Sequence, residues 1–179
     1  MQIHDFESMY ISGLQEARAI EELLIAALPT LIDAADDAEL RDTFRAHHLE
    51  TQVQLERINV ILDCHGVKAT STTDGAIAAL VADARDVAST MERGALRDTI
   101  LIGLAQRIEH EEIAIYGTLA AYAKLLGRHD EKRTLGAILE EERAADEDLS
   151  EIADALVNPR AAAMIMAVAA EADLRVVAA

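Results

Sequence analysis

Four long stretches of this 179-residue chain repeat their apolar residues at helical spacing, and almost nothing inside them breaks a helix. Gly occurs 8 times and Pro twice, aromatics make up 3% of residues, and Ala and Leu fill most apolar positions. That usage argues against sheet architectures and predicts an all-α chain. The first stretch runs from about Asp5 to Ala35, with Phe6, Tyr10, Leu14, Ala17, Leu24 and Leu28 on one stripe. Pro29 is expected to kink or interrupt its last turns. The second starts at an Asp36 or Asp37 N-cap and reaches about His65, on the stripe Phe44, His48, Thr51, Leu55, Ile58 and Leu62, with Gly66 ending it. The third covers roughly Ala95 to Leu126 and stops at Gly127. The fourth covers about Glu131 to Val157 and stops before Pro159.

Between the second and third stretches lies a polar break, "KATSTTDG", where Thr72, Thr73 or Asp74 can cap a shorter helix that reaches about Met91. Two hairpins with short turns, joined by one long crossover, describe a ferritin-like four-helix bundle rather than an up-down-up-down one. The expected organisation is one bundle over residues 1–158 with the short helix in its crossover, followed by a C-terminal extension over 159–179. Within that extension "AAAMIMAVAAEADL" predicts an extra helix packed outside the bundle or against a partner.

A net charge of −17 argues against nucleic acid or an anionic membrane surface as partner, because phosphate contacts need clustered Lys and Arg. No apolar run approaches the roughly 20 residues of a membrane span. "MQIHDFESMY" lacks the basic start and apolar core of a secretory signal, so a soluble cytoplasmic protein is expected. Cys64 is the single cysteine, which leaves no disulfide framework and no thiolate zinc site; it is expected as a small buried or half-buried thiol near a helix end.

The charges inside the apolar stripes are the anomaly. At about 100° per residue, Glu112 falls in the middle of the third stripe (Leu101, Leu104, Ile108, Ile115, Leu119, Leu126), with Glu109 and Tyr116 on its shoulder. His110 and Glu111 in the same run face elsewhere. The fourth helix places Glu142 and Asp146 in its stripe, and the first places Glu21 between Ala17 and Leu24. On the second, His47, Glu50 and Gln54 share one shoulder, with Glu50 the most peripheral.

Level in the bundle adds a second coincidence. Glu21 and Glu50 lie equally far from the "DAADD" turn, and Glu112 and Glu142 lie equally far from Gly127. Four helices therefore bring Glu21, Glu50, Glu109, Glu112, Glu142 and Asp146 into one layer, with His47 beside them. Ionised carboxylates in an apolar core repel one another unless they bind protons or cations. Arg18 and Arg143 are the nearby candidate cations, and Arg143 points outward. The economical solution is two divalent metals held by the carboxylates and an imidazole. Hard oxygen ligands with a His suit iron or manganese, with zinc as an opportunist.

Bundles of this kind usually carry Glu-x-x-His on two helices. Here the second helix has the reverse, His47-His48-Leu49-Glu50, and the fourth has Asp146 where a His would stand. That variation, with "AIEELLIAALP", "FRAHHLETQVQLERI", "AQRIEHEEIAIYGTLAAYAKLLG" and "LEEERAADEDL", resembles the YciE/YciF family of stress-induced ferritin-like proteins over roughly residues 6–156. The resemblance implies a homodimer whose di-metal centre, rubrerythrin-like in layout, is formed by Glu21, His47, Glu50, Glu109, Glu112, Glu142 and Asp146.

Three functions remain open at this point. The centre can react with peroxide or dioxygen as an oxidoreductase, with Tyr116 supplying a proton or electron or holding a ligand water. It can bind or oxidise ferrous iron without an organic substrate. Or the bundle is a partner-binding stress protein whose metal is structural. No CxxC pair is present for a rubredoxin-like iron, so any electron donor is external.

Overall fold

The computed structural model describes residues 3–68 and 75–163. Helix α1 spans Phe6–Ala34, α2 Ala38–Cys64, α3 Gly75–Thr90, α4 Ala95–Leu125 and α5 His129–Ile152. α1 pairs with α2 and α4 with α5 as antiparallel hairpins, α1 also meets α4, α2 meets α5, and the crossover helix α3 packs on α1 and α4. This is the expected bundle with one long connection.

The helix ends follow local chemistry. Asp5 and Ser8 form a reciprocal capping box at the start of α1, and Asp37 caps α2 through the amides of Glu39 and Leu40. Gly66 and Gly127 take φ values of 64° and 71° at the ends of α2 and α4, a conformation that only glycine adopts freely. The predicted cap of α3 at Thr72, Thr73 or Asp74 lies outside the described residues, as does the predicted helix through Met164 and Met166.

The stop expected before Pro159 needs correction, and of the two outcomes expected at Pro29 interruption does not occur. α1 runs through Pro29 without interruption. The fourth helical run does not stop before Pro159 either: α5 continues through a π turn, Ala153–Val157, into helical residues 158–163. In the π turn the Asn158 amide reaches back to the Ala153 carbonyl. That wider turn moves the preceding carbonyls off the α-helical positions that the proline ring would strike. Cys64 is also corrected, since it is exposed at the C-terminal end of α2.

The turn between α1 and α2 is clamped by two buried charges at the start of α4. Asp98 accepts the amides of Asp36 (3.0 Å) and Asp37 (2.7 Å), while the Arg97 guanidinium donates to the Ala34 and Met91 carbonyls. Asp98 is 1% exposed, so Asp98→Ala removes a buried acceptor from two part-buried amides. The expected loss is about 2–4 kcal/mol, read as a melting temperature lower by roughly 5–12 °C. A drop under about 2 °C in calorimetry would show that the turn is held by other means.

The core consists of two apolar clusters. One lies toward this turn, from Ile20 to Ala35 with Phe44, Ile77, Val81, Leu101, Ile108 and Leu149; the other surrounds Tyr10, Leu14, Ile58, Leu62, Tyr116, Leu119, Leu135 and Ile138. Between them every long helix contributes buried polar side chains: Glu21, His47, Thr51, Gln54, Glu109, Glu112 and Glu142.

Candidate metal centre

Each helix delivers its part of this layer from the face that otherwise builds the core. Glu109 and Glu112 are one turn apart on α4, Glu142 comes from α5, and His47 from α2, one turn before Thr51. One ligand atom from each of His47, Glu109, Glu112 and Glu142 lies within 4.8 Å of the others. All four are buried, His47 at 6% exposure and the acids at 3% or less. Glu21 of α1, fully buried, borders the group closely enough to repel Glu112 and Glu109.

The remaining predicted residues sit at the margin. Glu50 is exposed, on a groove between α2 and α5 that also includes His47, Glu141 and Asp148. Asp146 is half-buried and faces His110 Nδ1 at 3.4 Å. His110 is exposed, as its outward phase requires, and its Nδ1 donates to the Gln106 carbonyl of its own helix at 2.8 Å. Tyr116 is buried with its hydroxyl donating to Glu21.

The electrostatics are those of a site short of positive charge. Burial raises the carboxyls of Glu21, Glu109 and Glu112 well above the ordinary 4.5, and the Glu142 charge raises each further. Glu142 itself is pushed up to about 7, chiefly by burial, with Glu141 and Glu50 adding to the effect and hydrogen bonds from Glu109 and Gln54 opposing it. Burial drives His47 down to about 4. Its Nε2 lies 3.4 Å from Glu109 Oε1, but a neutral imidazole makes no ion pair there. Burial and Glu21 raise the Tyr116 phenol.

Among the described residues no Lys or Arg makes an ion pair with Glu21, Glu109, Glu112 or Glu142. Arg18 pairs with Glu22 and Asn59, and Arg143 with Glu140. Seven buried atoms in the layer lack any hydrogen-bond partner: one oxygen each of Glu21, Glu109 and Glu142, both of Glu112, His47 Nδ1 and Gln54 Oε1. Buried polar atoms are rarely left so. Hard oxygen donors with one neutral imidazole are what a divalent transition metal takes, so the residues present fit a metal.

Sequence reasoning left Gln54 and Arg57 without a role. Gln54 Nε2 donates to Glu142 Oε1 at 2.5 Å and to Glu141 Oε2 at 3.1 Å, and Arg57 grips Glu141 at 3.0 and 2.5 Å. This chain of contacts fixes the Glu142 carboxylate from outside, as supporting groups do around metal ligands. The signal available was the shared helix face of His47 and Gln54.

Comparison with known proteins bears on the family and the fold. Residues 5–162 match the family model described as a domain of unknown function, DUF892. Protein YciF of Escherichia coli K12 is 35% identical over 162 residues, 90% of this chain and 98% of that protein. The crystal structure of the E. coli stress protein YciF superposes with a TM-score of 0.82, covering 87% of this chain and 99% of that one at 35% identity. YcfI from Rhodopseudomonas palustris superposes at 0.79 with 34% identity, over 83% and 95% of the two chains. With a family match over nearly its whole length and the same fold in its relatives, this chain belongs to the DUF892 family, as a homologue of the stress protein YciF.

Proposed function

We propose that the layer binds two divalent metal ions, iron first and manganese or zinc next, and that the loaded centre reacts with dioxygen or peroxide or oxidises ferrous iron in a stress-related role. The observation that supports this is the set of partnerless buried ligand atoms on Glu21, His47, Glu109, Glu112 and Glu142. Four ionised carboxylates beside a neutral imidazole carry the charge that two divalent ions cancel. A bound ferrous pair supplies two electrons, enough with two protons to take dioxygen to hydrogen peroxide, or hydrogen peroxide to two waters.

The chain's own residues do the rest. His47 is held unprotonated by burial and is ready to ligate at neutral pH. Gln54 holds Glu142 and Arg57 holds the adjoining Glu141, while Glu50 and Asp146 at the margin can join the centre as ligands or guide cations in. Tyr116 keeps its proton and presents it at Glu21, where it can be passed inward. The two apolar clusters cover the layer above and below, and the groove between α2 and α5 reaches it at His47.

The test is ferrous titration of chelator-stripped protein without oxygen, followed by peroxide or air. About two ferrous ions per chain and a new absorption on oxidation support the reading. Tyr116→Phe is expected to bind the same metal but react at least about tenfold more slowly. An alternative reading, a non-catalytic bundle with structural metal and a binding partner, is favoured by the depth of the site, the acids being 3% exposed or less. It predicts metal that stays unreactive to both oxidants.

A further inference from the structure

Two spaces of opposite character reach His47. One is the groove between α2 and α5, rimmed by Glu39, Asp42, Glu50, Glu140, Glu141 and Asp148. The other is a cavity roofed by the crossover helix α3, with walls that include Leu24, Phe44, Val81, Ala84 and Ile108. Its inner end is His47 and Glu109, and the exposed Arg85 and half-buried Thr43 mark its outer end. All five helices contribute to it.

Its size and chemistry restrict what it can hold. About 20 Å³ is open to a water-sized molecule, slightly more than the roughly 10–15 Å³ that a single such molecule needs. A water placed there would want two to four polar partners, and only the His47–Glu109 end offers any, the side walls being hydrocarbon; apolar cavities of this kind take apolar guests instead. Hydrogen peroxide fails for the same reason, having two hydroxyls to satisfy. A cation would be stripped of hydration among hydrocarbon.

We propose that this cavity is a dioxygen seat: an apolar diatomic molecule rests between Leu24, Phe44, Ala84 and Ile108, against the His47–Glu109 edge of the metal layer. The inference rests on the metal-centre reading above and selects dioxygen over peroxide as the oxidant delivered from this side. The acidic groove is left to cations and polar reactants. In the reaction, two ferrous ions give one electron each, and dioxygen takes both with two protons to become hydrogen peroxide.

Crystals of the metal-free wild-type protein pressurised with xenon provide the first test, because they need neither metal nor turnover. Xenon is expected between Phe44 and Ile108 beneath α3, and Ala84→Leu is expected to exclude it. After iron loading, Ala84→Leu should consume dioxygen at least about tenfold more slowly, while ferrous binding and oxidation by added peroxide stay within about twofold of wild type. Ala27→Leu, which narrows the cavity from α1, provides the second variant should Ala84→Leu fold poorly. Xenon absent from the cavity overturns the proposal. So does wild-type dioxygen consumption in a variant that excludes xenon. If no form of the protein binds iron, the metal centre fails and the dioxygen assignment falls with it; xenon in the cavity would then mark a site for apolar gas alone.

Discussion

Glu112→Gln and Glu142→Gln are each expected to retain less than about a tenth of the metal bound by the wild type, whereas Glu111→Gln and Glu140→Gln retain all of it. The four positions are near neighbours on two helices. They differ in direction: Glu112 and Glu142 point into the layer at 1% and 0% exposure, while Glu111 is exposed and Glu140 pairs outward with Arg143. Gln keeps the shape of Glu and removes the charge that a cation needs. Misfolding would not mimic this outcome, because replacing a carboxyl that burial already disfavours as an anion should leave the metal-free variants at least as stable as the parent. Elemental mass spectrometry of the four proteins reads the result directly. Equal metal in all four would sink the centre.

The second large effect is an opposite pH dependence of the metal-free and metal-loaded forms. Glu21, Glu109, Glu112 and Glu142 have folded pKa values raised above the ordinary 4.5, mainly by burial. The folded metal-free chain therefore binds more protons than the unfolded one above that pH. The stability these four carboxyls contribute is fully present below about pH 4.5 and is lost as pH rises through their raised values, about 7 for Glu142; His47, lowered from 6.5 to about 4, works in the opposite sense below about pH 6.5 and offsets part of it. Metal acts in the contrary sense, since its ligands must be deprotonated and its affinity grows over the same window. At free metal near 1,000 times the dissociation constant the gain is about 4 kcal/mol, or roughly 8–16 °C in melting temperature. Melts at pH 5 and pH 8, with ferrous or manganous ion and with chelator, should show a small difference at the lower pH and the full one at the higher. A metal-free melting temperature that holds steady or climbs from pH 5 to pH 8 would contradict the raised carboxyl values.

The helices were legible because Ala and Leu at helical spacing, with Asp37, Gly66 and Gly127 at the ends, leave few alternatives. Three acids of the layer, Glu21, Glu112 and Glu142, could be placed because each interrupts an otherwise apolar stripe. α2 was harder. Its expected stripe, Phe44, His48, Thr51, Leu55, Ile58 and Leu62, included His48 and Leu55, yet the buried face is Leu40, Phe44, His47, Thr51, Gln54, Ile58, Ile61 and Leu62. A helix that turns polar residues toward a polar layer loses the hydrophobic contrast that marks its inner face, so the half-buried Leu55 drew the stripe to one side. Asp146 lies less deep than its place beside Leu149 suggested: it is half-buried, with Gln106 and His110 of α4 at its carboxylate. Pro159 defeated a rule that assumes α-helical hydrogen bonding before the proline, where the chain instead widens into a π turn. No residue pattern announced the cavity under α3, since it arises from where five helices fail to fill space together.

The polar layer also has a mechanical meaning. It separates two blocks of hydrocarbon that share little side-chain packing, so α1, α2, α4 and α5 act as four stays tying an upper block to a lower one. An ion lodged between them is a rivet: it fastens all four stays at mid-height, where hydrocarbon contact is thinnest. Amide exchange should register this as two separately breathing halves in the stripped protein, which fuse into one slow-exchanging unit when the rivet is in place.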